Sequence, residues 1–461
     1  VHLGRTPRGL MLEPKDNSNS RLLTDPPGIV RHIVRLLVDP VVNPAKLQAT
    51  RDKLEAARIK AGAPHIVEYF HQLDDPYSYL TAQILGTFAE RYEIEVVPHL
   101  IRASGGKNQP EEARLVRWAR RDAELIAPYM ALNFPTSAPV RPSAEAVRAG
   151  HRALGGLSVE PFINALPEVS KAVWAAEPPK GASANEDANV DERLDAGNAR
   201  LAKLGHYSGA TFFYGGEWYW GVDRLFHLER RLRELGACRN PDLPLICPRP
   251  PIEVSGVDAS DLELDFYPSL NSPYTAIVYD KTISLAKACR VNFNHKPVLP
   301  MIMRGVPVTR AKTMYIFYDA AREAQDLGVP FGPVMVPVGK PVRDVYALLP
   351  WAKEKGCATR LLSQALHLAF GKGVGLHRRA GLRAAVERAG LSWTEAQANL
   401  GNEDWKPAVA ASQSEMLDDL GLWGVPSYRL QGGGAEDLCV WGQDRLWLVA
   451  AEIKKRAENN G

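Results

Sequence analysis

The chain has 461 residues, enough for two or three domains. Hydrophobic residues make up 45% and charged residues 24%, a globular balance that excludes a disordered, collagen-like or fibrous chain. Lys and Arg number 56 against 53 Asp and Glu, a net charge of +3, too even for a dedicated nucleic-acid binder with its basic face or stripe.

Residues 1–62 read as an N-terminal helical extension. Pro26-Pro27-Gly28 breaks the chain, Ile29–Leu37 has a helical pattern, and Asn43-Pro44 caps and starts a further helix. His65–Phe70 is an apolar strand and Asp75-Pro76 a turn. Tyr79, Leu80, Ile84, Leu85 and Phe88 then follow helical spacing, and Ile94–Leu100 is a second strand. Strand, helix and strand open an α/β unit. Glu111–Leu154 is helical in pattern. Residues 177–200 are polar and poor in large apolar side chains, which predicts an exposed insertion. Ala210–Trp220 reads as a hairpin turning at Gly215-Gly216, and a helix follows over Asp223–Leu235. Residues 63–237 make up this first domain.

Residues 238–261 form a linker, stiffened by Pro241, Pro244, Pro248, Pro250 and Pro251. The pattern then restarts over residues 262–461. Leu262–Tyr267 is a strand, Ser272-Pro273 starts a helix, and Val298–Met303 is a strand. A helical region covers Ala311–Leu400, Ser427–Val440 is a hairpin around Gly432-Gly433-Gly434, and a last helix covers Asp444–Arg456.

The restart is an internal repeat. Leu73-Asp74-Asp75-Pro76-Tyr77 matches Leu270-Asn271-Ser272-Pro273-Tyr274, and Trp220-Gly221-Val222-Asp223-Arg224-Leu225 matches Trp441-Gly442-Gln443-Asp444-Arg445-Leu446. Two markers in the same order, flanking a helical middle, predict two copies of one α/β fold.

Five scattered cysteines, Cys238, Cys247, Cys289, Cys357 and Cys439, include no C-x-x-C pair and no zinc spacing. They suit free thiols in a reducing compartment. Apolar runs such as Ile29–Val38 are broken by Arg31, His32 and Arg35 and fall short of the ~20 residues of a membrane span. The start of the chain lacks the apolar core of a signal peptide. The expectation is a cytoplasmic protein with no membrane, nucleic-acid or metal partner. Gly371-Lys372-Gly373-Val374-Gly375 fits no phosphate-binding motif and reads as a loop.

Ser272-Pro273 has two readings. Ser is a favoured helix N-cap and Pro a favoured first helical residue. The same geometry places a hydroxyl at the positive end of a helix, where it would donate to a bound thiolate and depress its pKa. Asp75 caps equally well, but an ionised carboxylate repels a thiolate. Val425-Pro426 opens the last hairpin of the second half, whereas Gly209-Ala210-Thr211-Phe212 in the first half has no Pro. Asp444-Arg445 reads as a cap with an ion pair, or as a polar cradle for an amino or carboxylate group.

N-S-P-Y after a first strand, G-V-P-S-Y before a late hairpin and W-G-Q-D-R-L opening the last helix resemble the DsbA-like thioredoxin superfamily. Within it they resemble the branch of 2-hydroxychromene-2-carboxylate isomerases and kappa-class glutathione transferases. The resemblance covers about residues 262–458 well and about 64–236 more weakly. It implies two tandem thioredoxin-like α/β domains, each with a helical insertion, and glutathione as cofactor. It implies that Ser272 faces the glutathione sulfur and acts as the catalytic hydroxyl. Asn271 belongs to the same motif. Val425 and a cis Pro426 pair with the cysteinyl backbone, and Gln443 and Asp444 hold the γ-glutamyl end. Lys312, Asp319 and Arg322 resemble a charged helix of the branch, or form an ordinary solvated face.

The implied activity is a glutathione-dependent isomerase or transferase acting on a small apolar or aromatic electrophile. A thiol–disulfide oxidoreductase is disfavoured by the lack of C-x-x-C, and a non-catalytic scaffold of decayed domains is the other alternative. The first domain departs from the motif at Asp75 and at the missing Pro, which suits an intrachain pseudo-dimer mate or a homodimer.

Overall fold

The computed structural model describes residues 21–181 and 187–460. The part of the predicted N-terminal extension before residue 21, and residues 182–186 of the predicted insertion, lie outside the described residues. The chain divides into two compact units. One comprises Gln48–Pro250 and Thr309–Tyr315; the other comprises Pro251–Val308, Ile316–Gly461 and the chain up to Leu47.

Three helices precede the first sheet: α1 (Arg21–Thr24), α2 (Gly28–Val42) and α3 (Pro44–Lys60). Asn43 starts α3 as read from the sequence, its Oδ1 accepting from the Ala45 and Lys46 amides at 3.1 and 3.2 Å. α2 belongs to the second unit because its Arg31, 1% exposed, donates to the Val336 and Val338 carbonyls at 2.7 and 2.8 Å.

In the first domain, β1 (His65–His71) is followed by α4 (Pro76–Arg91) and β2 (Ile94–Leu100). The insertion holds α5 (Glu112–Ile126), α6 (Ala144–Gly155), α7 (Val159–Trp174) and α8 (Asp187–Lys203). Then come β3 (Thr211–Tyr214), β4 (Glu217–Trp220) and α9 (Val222–Glu234). The sheet order is β2-β1-β3-β4, with β1 parallel to β2 and antiparallel to β3. Gly215 and Gly216, at φ 52° and 82°, form the two-residue hairpin turn, a left-handed pair that matches strand twist. Val67, Tyr69, Phe70, Leu80, Phe88, Phe212 and Tyr219 fill the core.

The polar stretch differs from its sequence reading. Residues 187–203 of the polar stretch form α8 rather than an exposed insertion, because Val190, Leu194 and Leu201 fall on one face and are buried. The Pro-rich stretch, read as a linker stiffened by its prolines, is also held by side chains of the first domain. The buried Glu229 carboxylate accepts from the Ile246 amide at 3.0 Å, and Arg233 and Arg91 hold the Leu243 and Pro244 carbonyls.

The second domain repeats the plan: β5 (Glu263–Tyr267), α10 (Pro273–Ala288) and β6 (Asn292–His295). A longer insertion follows, through α11 (Arg310–Asp326), α12 (Lys340–Ala347), α13 (Leu349–Glu354), α14 (Ala358–Leu366), α15 (Arg379–Arg388), α16 (Trp393–Asn399) and α17 (Trp405–Ser414). β7 (Ser427–Gln431), β8 (Leu438–Trp441) and α18 (Leu446–Asn460) complete it. The order β6-β5-β7-β8, with β5 parallel to β6 and antiparallel to β7, is the first sheet over again. The fold is therefore two thioredoxin-like α/β domains in tandem, each with a helical insertion.

The strand expected at 298–303 lies earlier, at Asn292–His295. Val298 and Leu299 are fully buried and account for the apolar signal. Pro297 and Pro300 have no N–H to offer a ladder, and Met301–Arg304 turns into a short 3₁₀ helix.

Candidate functional site

The site is built where α10 and β7 begin. Ser272 is the N-cap of α10, with extended φ and ψ of −109° and 115°, and Pro273 takes the first helical position. The Ser272 Oγ accepts from the Thr275 amide at 3.1 Å. Its hydroxyl donates to the Val425 carbonyl at 3.4 Å, well beyond the ~2.7–2.8 Å of a strong O–H···O bond. The proton of Ser272 is thus only lightly held, at the positive end of a 16-residue helix.

Val425-Pro426 is a cis peptide. Its loop is tied down on both sides: the Ser427 hydroxyl donates to the Gly424 carbonyl at 2.7 Å and the Gly442 amide to the Pro426 carbonyl at 2.9 Å. A Cβ on Gly424 would stand 2.5 Å from the Trp441 ring, so glycine is required there. Ser272 and Val425, far apart in sequence, are in this way brought together.

Gln443 and Asp444 lie in the 3₁₀ turn that leads into α18. The Gln443 Nε2 donates to the Glu323 carboxylate at 2.5 Å. A carboxylate only accepts, so Glu323 dictates which end of the amide faces it. The Gln443 Oε1 is left buried with no partner among the described residues. An acceptor in that state calls for a donor. The Asp444 carboxylate is 3.7 Å from the Arg445 guanidinium. Asn271, half-buried, precedes Ser272.

Asp319 and Arg322 are not a solvated face. Asp319 is fully buried and Arg322 is 4% exposed, paired at 2.7 Å, and Tyr274 donates to Asp319 at 2.9 Å. Lys312 lies in the Thr309–Tyr315 stretch, which groups with the other unit. Tyr274 and Glu323 were missed by sequence reasoning. A signal for Tyr274 was present: Tyr77 and Asp122 repeat the same hydrogen bond at 2.7 Å, with 45 residues between partners in both domains.

The first domain keeps the cap and closes the rest. Asp75 caps α4, its Oδ2 accepting from the Ser78 amide and hydroxyl, both at 2.8 Å. Burial pushes its carboxyl up to about 6, against the Ser78 hydrogen bonds that favour the charged form. A Cβ on Gly209 would meet Gln72 Cβ at 2.6 Å and Ser78 Oγ at 3.0 Å. The Gly209 backbone thus packs against Ser78, the residue that bonds the cap. Counting on from Pro76 and Pro273, Leu125 and Ile126 stand opposite Arg322 and Glu323.

The thiols are elsewhere. Cys289 is at the C-terminal end of α10, buried, its thiol pushed up by burial and bonded to the Leu285 carbonyl at 3.2 Å. All five cysteines are free. Among the described residues no cluster of His, Cys, Asp and Glu could hold a metal ion, and no helix is long and apolar enough to cross a membrane.

With this geometry in hand, residues 263–454 match the family described as DSBA-like thioredoxin domain. Among solved structures, the chain is similar to a 2-hydroxychromene-2-carboxylate isomerase at 17% identity, over 43% of this chain and 97% of that one, with a TM-score of 0.35. It is similar to a probable DsbA oxidoreductase from Streptomyces coelicolor at 17% identity, over 42% and 89%, with a TM-score of 0.33. It is also similar to the cytosolic disulfide reductase DsbM from Pseudomonas aeruginosa at 19% identity, over 42% and 98%, with a TM-score of 0.32. DsbM is also solved with GSH, at 19% identity and a TM-score of 0.31. No curated protein matches the chain.

Proposed function

We propose that the second domain is a glutathione-dependent isomerase or transferase for a small apolar or aromatic electrophile. The observation that carries this reading is the lightly held Ser272 hydroxyl at the N-terminus of α10, 3.4 Å from the carbonyl that precedes the cis proline. Glutathione fits the residues present. The unpartnered Gln443 Oε1 suits the α-ammonium of its γ-glutamyl end. Glutathione supplies a nucleophilic thiol that adds to an electrophilic carbon and either departs again, in isomerisation, or stays bonded, in transfer.

The chain's own residues do the rest. Ser272 turns its proton from the Val425 carbonyl to the sulfur. The α10 dipole stabilises the negative charge. Gln443 and Asp444 orient the amino end, while Asn271 and Val425-Pro426 border the sulfur. The reading as a thiol–disulfide oxidoreductase lacks a thiol at either cap, since Asp75 and Ser272 occupy those positions. We infer that the first domain does not bind glutathione, because its cap is a carboxylate and Gly209 packs against Ser78, the hydroxyl that bonds it.

Calorimetric titration of glutathione tests the proposal. One site per chain, weakened in Asp444→Ala, and a bound-thiol pKa that rises in Ser272→Ala are the expected results. Absence of binding at millimolar glutathione sinks the proposal and leaves the scaffold.

A further inference from the structure

α2 carries apolar residues on two opposite faces. Arg31, Val38 and Val42 are buried against the second unit. Ile29, Ile33, Leu36 and Leu37 recur at helical spacing on the other side, with exposures of 70, 50, 68 and 59%. Leu22 and Leu23 of α1 add 59 and 51%. Six large aliphatic side chains in one short stretch of chain form an exposed apolar surface of the kind that marks an interaction site.

The border of this surface is basic. The Gly-rich loop that fits no phosphate motif runs beside α2: Arg35 donates to the Gly373 carbonyl, and a Cβ on Gly28 would stand 3.2 Å from His377 Nε2. Residues 371–380 contain Lys372, Arg378 and Arg379, all exposed, and no acid. Arg21 and His32, on α1 and α2, are exposed as well. The two acids of this region are already paired, Asp25 with Arg343 and Arg31, and Asp39 with Lys46.

We propose that α1, α2 and the 371–379 loop form an attachment surface for an anionic lipid bilayer. The apolar stripe enters the headgroup boundary with the helix lying in the plane, and Lys372, Arg378 and Arg379 pair with lipid phosphates. No described helix spans a bilayer, so the contact is peripheral. A second copy is the poorer occupant. A two-fold interface sets the same basic-bordered patch against itself, and among its described residues both acids are already paired, so none is left to meet Lys372, Arg378 and Arg379.

The full chain is sedimented with phosphatidylcholine vesicles, with and without phosphatidylglycerol. The expected result is binding to the anionic vesicles that weakens with salt, and little binding to the neutral ones. Ile33→Ser with Leu36→Ser lowers binding at least about tenfold, with far-UV circular dichroism unchanged because both side chains are exposed. Lys372→Glu with Arg378→Glu, both exposed, lowers it about fivefold or more per side chain and decides the matter should the first variant misfold. Equal binding to neutral vesicles, no binding at all, or indifference to both variants overturns the proposal. A concentration-dependent dimer that Ile33→Ser abolishes, without vesicle binding, overturns it in favour of a second copy.

Discussion

The capped helix that follows the first strand of each domain sits in two different environments. In the second domain a serine caps α10, its hydroxyl reaches a peptide carbonyl at 3.4 Å, and a buried Gln443–Glu323 pair leaves one amide oxygen unpartnered. In the first domain an aspartate caps α4 with two hydrogen bonds of 2.8 Å from Ser78, and Gly209 packs against Gln72 and the same Ser78 hydroxyl. Both satisfy the helix end. The second also holds a buried acceptor with no partner among the described residues, which is what a ligand site needs and a purely structural cap does not.

The largest expected effect is at Arg322, a position where the first domain has Leu125. Arg322→Ala strips the buried Asp319 carboxylate of its guanidinium and lowers stability by about 3–5 kcal/mol, read from urea unfolding of the full chain. A loss below about 1 kcal/mol would put the pair on a par with surface ion pairs and remove this contrast.

Next is the pH dependence of the Asp75 cap. Its folded pKa, about 6, lies above its ordinary value of 3.8. Its stabilising contribution is therefore complete below 3.8 and is lost as pH rises through about 6. The wild type loses up to about 3 kcal/mol relative to Asp75→Ser between pH 4 and pH 7. Parallel stability–pH curves for the two proteins would place Asp75 in a more solvated setting than its burial implies.

Gly209→Ala tests how tightly the first site is closed. The added methyl meets Gln72 Cβ at 2.6 Å, and overpacking of this kind destabilises by about 1–3 kcal/mol. Thermal unfolding measures it, and the glutathione isotherm of the second domain stays as it was. A neutral variant would mean the first site is looser than a closed cap. The smallest effect is on Ser272→Ala, where loss of the cap lowers stability by about 1 kcal/mol in a denaturant titration. An unchanged midpoint would mean that Ser272 contributes little to the helix end.

Local chemistry made much of this legible in advance. Apolar runs, helical spacing and glycine turns placed β1, β2, β5 and the hairpins, since these patterns are properties of the chain alone. Ser272-Pro273, Asp75-Pro76 and Asn43-Pro44 announced their helix starts, because capping uses residues within three positions of one another. The repeated markers predicted two copies of one sheet order. Glu323 was not legible as a site residue, because nothing local distinguishes a charge that will be buried from one on a wet face, whereas Tyr274 carried a signal in its repeat, Tyr77.

The sequence alone determined the elements, the repeat and the hydroxyl at the second cap, for these rest on contacts within a few residues. Tertiary structure decided the rest. It set Ser272 against Val425 and Gln443 against Glu323, turned residues 187–203 into a packed helix, and bound the Pro-rich stretch to Glu229. It also assigned α2 to the second unit through Arg31. Each of these depends on which distant groups satisfy a buried donor or acceptor, and that is fixed only when the chain is folded.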